Sequence, residues 1–391
     1  MIPIIKDLDF EGKKVLVRVD FNVPLDEDGN VKDDERIVSA LPTIKFLLKK
    51  NAKIILMSHL GRPKGEVIEK LKMDEVAKKL SELVDKEVIK LDDCIGEQIK
   101  EKINTMKSQE IIMLENLRFH EEEEKNDEKF AKGLASLAEV YIDDAFANSH
   151  RNHASMTTIT KFLPSYAGFL FEREIMVLTR IIHNPKKPFI VIIGGAKPDK
   201  IDVIRNLLNI ADNIIIGGVL ANTFLKAMGA NIGKSKFDPE SMNDAKILLA
   251  QSKGKIVLPI DAFVAKSIEK GENSRIAKID KITDDCMIGD IGPDTIALYK
   301  KTLKHANTVV WSGPLGAFEY EKFEGGTHEI ALFLSGLKTN VIIGGGDSAA
   351  AINQLGLESD VTYTSTAGGA FLQFLSGKKL PAVKALEESA S

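Results

Sequence analysis

Short, unbroken apolar runs recur along this chain, and each gives way abruptly to polar residues or glycine. KIILM (53–57), EIIML (110–114), FIVII (189–193) and NIIIG (213–217) lack the in-and-out alternation of a strand wetted on one face. Runs of that length suit parallel strands covered on both sides. Amphipathic stretches lie between them. MDEVAKKLSELV (73–84) sets Val76, Leu80 and Leu83 on one helical face, and KFAKGLASLAEV (129–140) and DKIDVIRNLLNIA (199–211) behave similarly. Strands alternating with helices predict an α/β fold of doubly wound, Rossmann-like parallel sheets with right-handed crossovers. At 391 residues the chain exceeds what one core usually organises, so two such domains are expected. A strong helix over about Phe171–Ile182, closed by Asn184-Pro185, marks the junction. It serves equally as a stiff connector about which domains hinge or as an ordinary crossover helix.

A net charge of −4 argues against a protein that binds nucleic acid by neutralising phosphates. Cys94 and Cys286 stand far apart with no further ligand at metal spacing, which points away from zinc and disulfides and toward a reducing compartment. No apolar run reaches membrane-spanning length, and the acidic amino terminus is no signal peptide. These features describe a cytoplasmic enzyme with no nucleic-acid or membrane partner, and a monomer is the default. The acidic run HEEEEKNDEK (120–129) reads as a solvated loop and helix start without a function.

Ligands of parallel α/β sheets bind beyond the carboxyl ends of the strands, so the exits decide function. In the first half they carry charge: VLVRVDFNVP, IILMSHLGRP, IIMLENLRF and VYIDDAFANSHRNH. Arg18, Arg36, Arg62, Arg118 and Arg151, with His59 and His150, suit a small phosphorylated acid, because arginine pairs bidentately with carboxylate and phosphate. In the second half the exits carry glycine: FIVIIGGAKPDK, IIIGGVLANTF, VVWSGPLGAFE and VIIGGGDSAA. Pro198 should open a helix, leaving Lys197 beside its free amides as an anion site. Lys200 falls in the first helical turn, against the macrodipole, where a phosphate could compensate it. Asp347, just past three glycines, is placed to hold Mg²⁺ on a nucleotide, since Mg²⁺ takes few protein oxygens and several from phosphate. The same turn loosely matches a dinucleotide fingerprint, but it lies near the carboxyl terminus instead of opening its domain. GANIGKSK (229–236) lacks the first glycine of a P-loop. No activated nucleophile is evident.

Taken together, RVDFNVP, SHLGRP, LENLRF, DDAFANSHR, GGAKPDKI, WSGPLGAFE, GGGDSAA and STAGGAFLQFLSGKKLPAV occur in the order found in phosphoglycerate kinases. The resemblance spans essentially the whole chain. It implies reversible phosphoryl transfer from 1,3-bisphosphoglycerate to ADP, giving 3-phosphoglycerate and ATP, with Mg²⁺ on the nucleotide. It also implies a phosphoglycerate-binding domain over 1–168, a hinge helix over 169–188 and a nucleotide-binding domain over 189–375. The tail from about 376 to 391 would pack on the first domain. Asp20, Phe21, Asn22, Arg36, His59, Leu60, Gly61, Arg62, Arg118 and Arg151 match the family's phosphoglycerate positions. Gly195, Lys197, Lys200, Gly292, Glu319, Gly345, Gly346, Asp347 and Ser348 match its nucleotide positions, Asp347 being the Mg²⁺ carboxylate. Arg36 and Lys197 resemble the pair that stabilises the phosphoryl group in flight. The chain departs from the family in four places. Only Pro198 separates Lys197 from the Asp-Lys pair, Ser312 replaces a usual Asn, and Ala147 and Val219 replace glycines. An NAD-dependent dehydrogenase or a catalytically silent nucleotide-binding protein would be the alternatives.

Overall fold

The structure, a computed structural model, describes residues 2–195 and 200–390. The chain divides into two compact units, Met1–Val177 with Lys379–Ser391, and Leu178–Lys378. The division falls inside the helix Phe169–His183, which begins in the first unit and ends in the second.

The first unit is built on strands β1 (Lys14–Arg18), β2 (Lys53–Met57), β3 (Val88–Lys90), β4 (Ile111–Met113), β5 (Val140–Asp143) and β6 (Ser165–Ala167). They form one sheet in the order β3-β4-β2-β1-β5-β6, parallel throughout. Successive side chains feed two separate cores. Val15, Val17, Ile54 and Leu56 belong to one cluster, whereas Leu16, Ile55, Met57 and Tyr141 belong to the other. Because both faces are covered, alternation in the backbone leaves no alternation in the sequence. Strand order reverses between β1 and β5, which is where such sheets bind ligands. The helix Pro381–Ser389 packs on this unit beside β6, and the backbone N–H of Ala382 donates to Ser149 O at 3.1 Å.

The second unit holds a six-stranded parallel sheet of β7 (Phe189–Ile193), β8 (Asn213–Ile216), β9 (Ile256–Val257), β13 (Thr308–Ser312), β14 (Asn340–Gly344) and β15 (Tyr363–Ser365). Their order is β15-β14-β13-β7-β8-β9, so strand order reverses between β7 and β13. A separate antiparallel sheet, in the order β11-β10-β12, is made by β10 (Asp261–Ala265), β11 (Arg275–Lys278) and β12 (Met287–Ile291). The sequence reading did not foresee it. Three of the four residues of β11 are exposed, so it carries no apolar run to mark it.

Candidate active site

At the reversal in the first sheet, Asp144 N–H donates to Arg18 O at 2.8 Å and brings the β1 and β5 exits together. The segments that follow β1, β2 and β4 bond to one another beyond the strand exits. Asp20 is buried and accepts a hydrogen bond from Arg36 Nη1 on the helix Glu35–Lys49. Phe21 is buried in the core and only its backbone faces the turn, its N–H held by Ser58 Oγ at 2.9 Å. Asn22 spends its side-chain oxygen on Gly61 N–H at 2.8 Å. Leu60 is likewise a core residue, clamped through its main chain by Asn116, which accepts at 3.2 Å and donates at 2.7 Å. Gly61, at φ +65°, offers its carbonyl to Arg118 Nη1 at 2.9 Å. Asp20, Asn22, Leu60 and Gly61 therefore shape the site, and the cations fill it.

Those cations crowd one another. His59, buried, is held well below the usual imidazole range by burial first, then by Arg18, Arg118, Arg151 and Arg36. The Arg118 guanidinium falls to about 10, through burial and then Arg151, with Glu124 opposing. Arg151 is lowered by burial and by Arg62, which is itself exposed. The fold thus gathers Arg18, Arg36, Arg62, Arg118 and Arg151 around a neutral His59. Arg118 Nη2 and Arg151 Nε are buried without a hydrogen-bond partner in the protein. Buried donors in an excess of positive charge suit a small polyanion.

Three residues at this site escaped the sequence reading. His153 lies among the same arginines and is depressed to about 3 by burial and by Arg118, Arg151 and Arg18. Asn116 is the clamp on the Leu60 turn. Glu123 corrects the expectation of a wholly solvated acidic run, because it is fully buried and accepts from Ser155 N at 2.9 Å and Ser155 Oγ at 2.6 Å.

In the second unit a cleft of about 710 Å³ opens at the corresponding reversal, lined by Gly195, Gly218, Glu319 and Asp347 among others, with the antiparallel sheet as one wall. Here backbones approach closely. Gly195 N–H donates to Pro314 O at 2.8 Å, and a β-carbon on Gly218, at φ +60°, would lie 2.6 Å from Gly195 N. Only glycine tolerates both demands. Glu319 and Asp347 are exposed in the cleft, Asp347 opening the helix Asp347–Gln354 after Gly345 and Gly346. Lys200 is buried instead, its ammonium turned back on Gly194 O and 3.4 Å from Ser312 O. Ser348 is also buried, accepting from Gly313 N at 2.9 Å and so tying the β13 exit to the β14 exit. Gly292 stands just outside the cleft lining, against Asp261, which caps the helix Pro293–Leu303. Lys197 and Pro198 lie outside the described residues.

A cluster of arginines at the strand exits of one unit and a glycine-rich cleft with an exposed carboxylate in the other suit a phosphotransferase acting between a nucleotide and a small anionic substrate. The family model "Phosphoglycerate kinase" matches residues 5–378. Phosphoglycerate kinases of Pelotomaculum thermopropionicum and Dictyoglomus turgidum are 48% and 49% identical to the chain, over 386 and 389 residues and 98% of both chains in each case. The solved phosphoglycerate kinase of Coxiella burnetii aligns over 100% of both chains at a TM-score of 0.88 and 36% identity. The chain belongs to the phosphoglycerate kinase family. It is a nucleotide-using transferase that phosphorylates a carboxyl group, and the dehydrogenase alternative is not favoured. Among the described residues no helix is long and apolar enough to cross a membrane.

Proposed function

We propose that the arginine cradle of the first unit binds 3-phosphoglycerate or 1,3-bisphosphoglycerate and that the cleft of the second binds ADP or ATP. The observation that carries this reading is the buried, partnerless guanidinium donors of Arg118 and Arg151 beside a neutral His59. Arg36, His59, Arg62, Arg118 and Arg151 grip the acid, on turns shaped by Asp20, Asn22, Leu60 and Gly61. Gly195, Gly345 and Gly346 let the main chain pass close to the nucleotide phosphates, with Glu319 on the cleft wall and Lys200 packed against Gly194. Asp347, a single exposed carboxylate at a helix start, fits the sparse protein coordination of Mg²⁺, which when bound neutralises phosphate charge.

Transfer is direct and in line, without a covalent enzyme intermediate. Arg36 and Lys197 stabilise the oxygens of the group in flight, Lys197 on the strength of the family resemblance. Donor and acceptor held by different units must be brought together, so closure accompanies turnover and keeps water from the acyl phosphate. The enzyme works as a cytoplasmic monomer, and its two cysteines are buried and unbridged. The test is to incubate the protein with ATP, Mg²⁺ and 3-phosphoglycerate and trap acyl phosphate with hydroxylamine. Hydroxamate is expected; folded protein that forms none would overturn the reading.

A further inference from the structure

Arg18 occupies the last position of β1 and is buried to 1% exposure, so it cannot be a free hand for substrate. All three of its donor nitrogens are engaged. Nε donates to Ser155 Oγ at 3.0 Å, Nη1 donates to Val19 O, and Nη2 lies 3.2 Å from His59 Nδ1. Ser155 Oγ in turn donates to Glu123 Oε1 at 2.6 Å, and Ser155 N–H donates to Glu123 Oε2 at 2.9 Å. Tyr141 OH locks the same residue from the other side, donating to Ser155 O at 2.8 Å. Arg18, His59, Glu123, Tyr141 and Ser155 are all buried.

A guanidinium has donors only, so a ring nitrogen that meets it must be an acceptor. His59 Nδ1 therefore carries the lone pair. The ring is neutral, so its single proton sits on Nε2, which makes no hydrogen bond among the described residues. We infer that Glu123, Ser155 and Arg18 form a positioning chain that fixes His59 as the Nε2–H tautomer and so makes it a neutral hydrogen-bond donor to the anionic substrate. The chain also explains how a carboxylate can sit beside an anion site without repelling the anion. Glu123 is spent on Ser155 and balances Arg18. Arginines alone would supply attraction without choosing among anions. A neutral donor of fixed direction distinguishes an acid whose oxygen meets it from one whose oxygen does not.

This inference rests on the phosphoglycerate reading only for its substrate, and its test separates the two. Ring ¹H–¹⁵N correlation spectra of the full-length protein, with His59 assigned through His59→Gln, report which nitrogen is protonated before any substrate is added. The expected signature is Nε2–H from about pH 8 to about pH 6, without titration. Ser155→Ala, a small change that leaves Glu123 on the Ser155 amide, should mix the tautomers. It should raise KM for 3-phosphoglycerate about tenfold, the loss of one oriented hydrogen bond, with kcat within about twofold. Ser155→Thr, which keeps the hydroxyl, should restore both readouts, and Glu123→Gln should act as Ser155→Ala does. A proton on Nδ1 in the unsubstituted protein would overturn the inference. So would Ser155→Ala and Glu123→Gln proteins that fold but keep both the ring signature and KM. If the signature holds and calorimetry finds no 3-phosphoglycerate binding, the substrate reading falls and the positioning chain stands.

Discussion

The ammonium of Lys200 occupies the space that a β-carbon on Gly313 would need. The lysine and the glycine are thus a pair. The charge can reach the β7 and β13 exits only because residue 313 has no side chain, and Gly313 also sits at φ +88°. Gly313→Ala should destabilise the protein by about 1–2 kcal/mol from left-handed backbone strain alone. By displacing Lys200 it should also weaken ADP binding at least tenfold. Lys200→Met should weaken ADP binding comparably without the backbone cost. Calorimetric titration with ADP and denaturant melts of both variants check this. A Gly313→Ala protein with unaltered ADP affinity would separate the pair.

Arg118 sits among like charges, and its guanidinium is pushed down to about 10. Removing it relieves repulsion but forfeits the buried donors proposed above to meet the substrate. Arg118→Met should therefore bind 3-phosphoglycerate at least tenfold more weakly while its melting temperature holds or rises. Paired thermal melts and titrations measure both. A large drop in melting temperature would recast Arg118 as a brace for Gly61, whose carbonyl it holds at 2.9 Å.

His153, depressed to about 3 by burial and neighbouring arginines, makes stability sensitive to acid. Its folded pKa lies below the unfolded value of about 6.5, so the unfolded chain takes the proton first. Its contribution is intact above about pH 6.5 and is lost progressively as pH falls toward about 3. His59 shares the direction. In His153→Gln the denaturant midpoint should decline less between about pH 6.5 and about pH 4 than in the parent protein. Parallel curves would show that His153 is not the sensor.

Asp144 acts on the opposite flank. Burial raises it to about 7, although Oδ1 accepts from Leu170 N at 2.9 Å and Phe171 N at 3.2 Å at the start of the helix Phe169–His183. The Thr43 hydroxyl also opposes the rise by bonding this carboxyl, and burial still outweighs all three partners. A folded pKa above the unfolded value of about 3.9 means that the folded protein retains the proton. The associated stability is complete below about 3.9 and is lost as pH rises through about 7. Asp144→Asn keeps the accepting oxygen and removes the ionisation. Its stability relative to the parent should climb between about pH 4 and about pH 7, then level off, as urea midpoints would show.

The parallel sheets were legible because burial on both faces erases alternation, and the site regions were legible because charge and glycine cluster at strand exits. What stayed hidden depended on side-chain direction. Glu123 and the exposed Glu121 are chemically alike in the sequence, yet only Glu123 turns inward to Ser155. Lys200 and Ser348 stand at helix starts where a ligand contact is the natural guess, and packing turns both under the loops. Strand β11 offered no apolar run, because its neighbour β10 covers it from one side only.

The turns that build the proposed cradle alternate between polar positions that bond across the turns and positions anchored in the core: Asp20 and Asn22 flank Phe21, and His59 precedes Leu60. Phe21 and Leu60 are anchored in the same cluster as Val17 and Leu56, the strands' own interior. Such turns cannot be lifted out as loops. Grafting them onto another scaffold would import polar geometry without its foundation, whereas exchanging single arginines within this one leaves the foundation in place. Changes of substrate preference in this protein should therefore be reached by editing side chains and not by swapping segments.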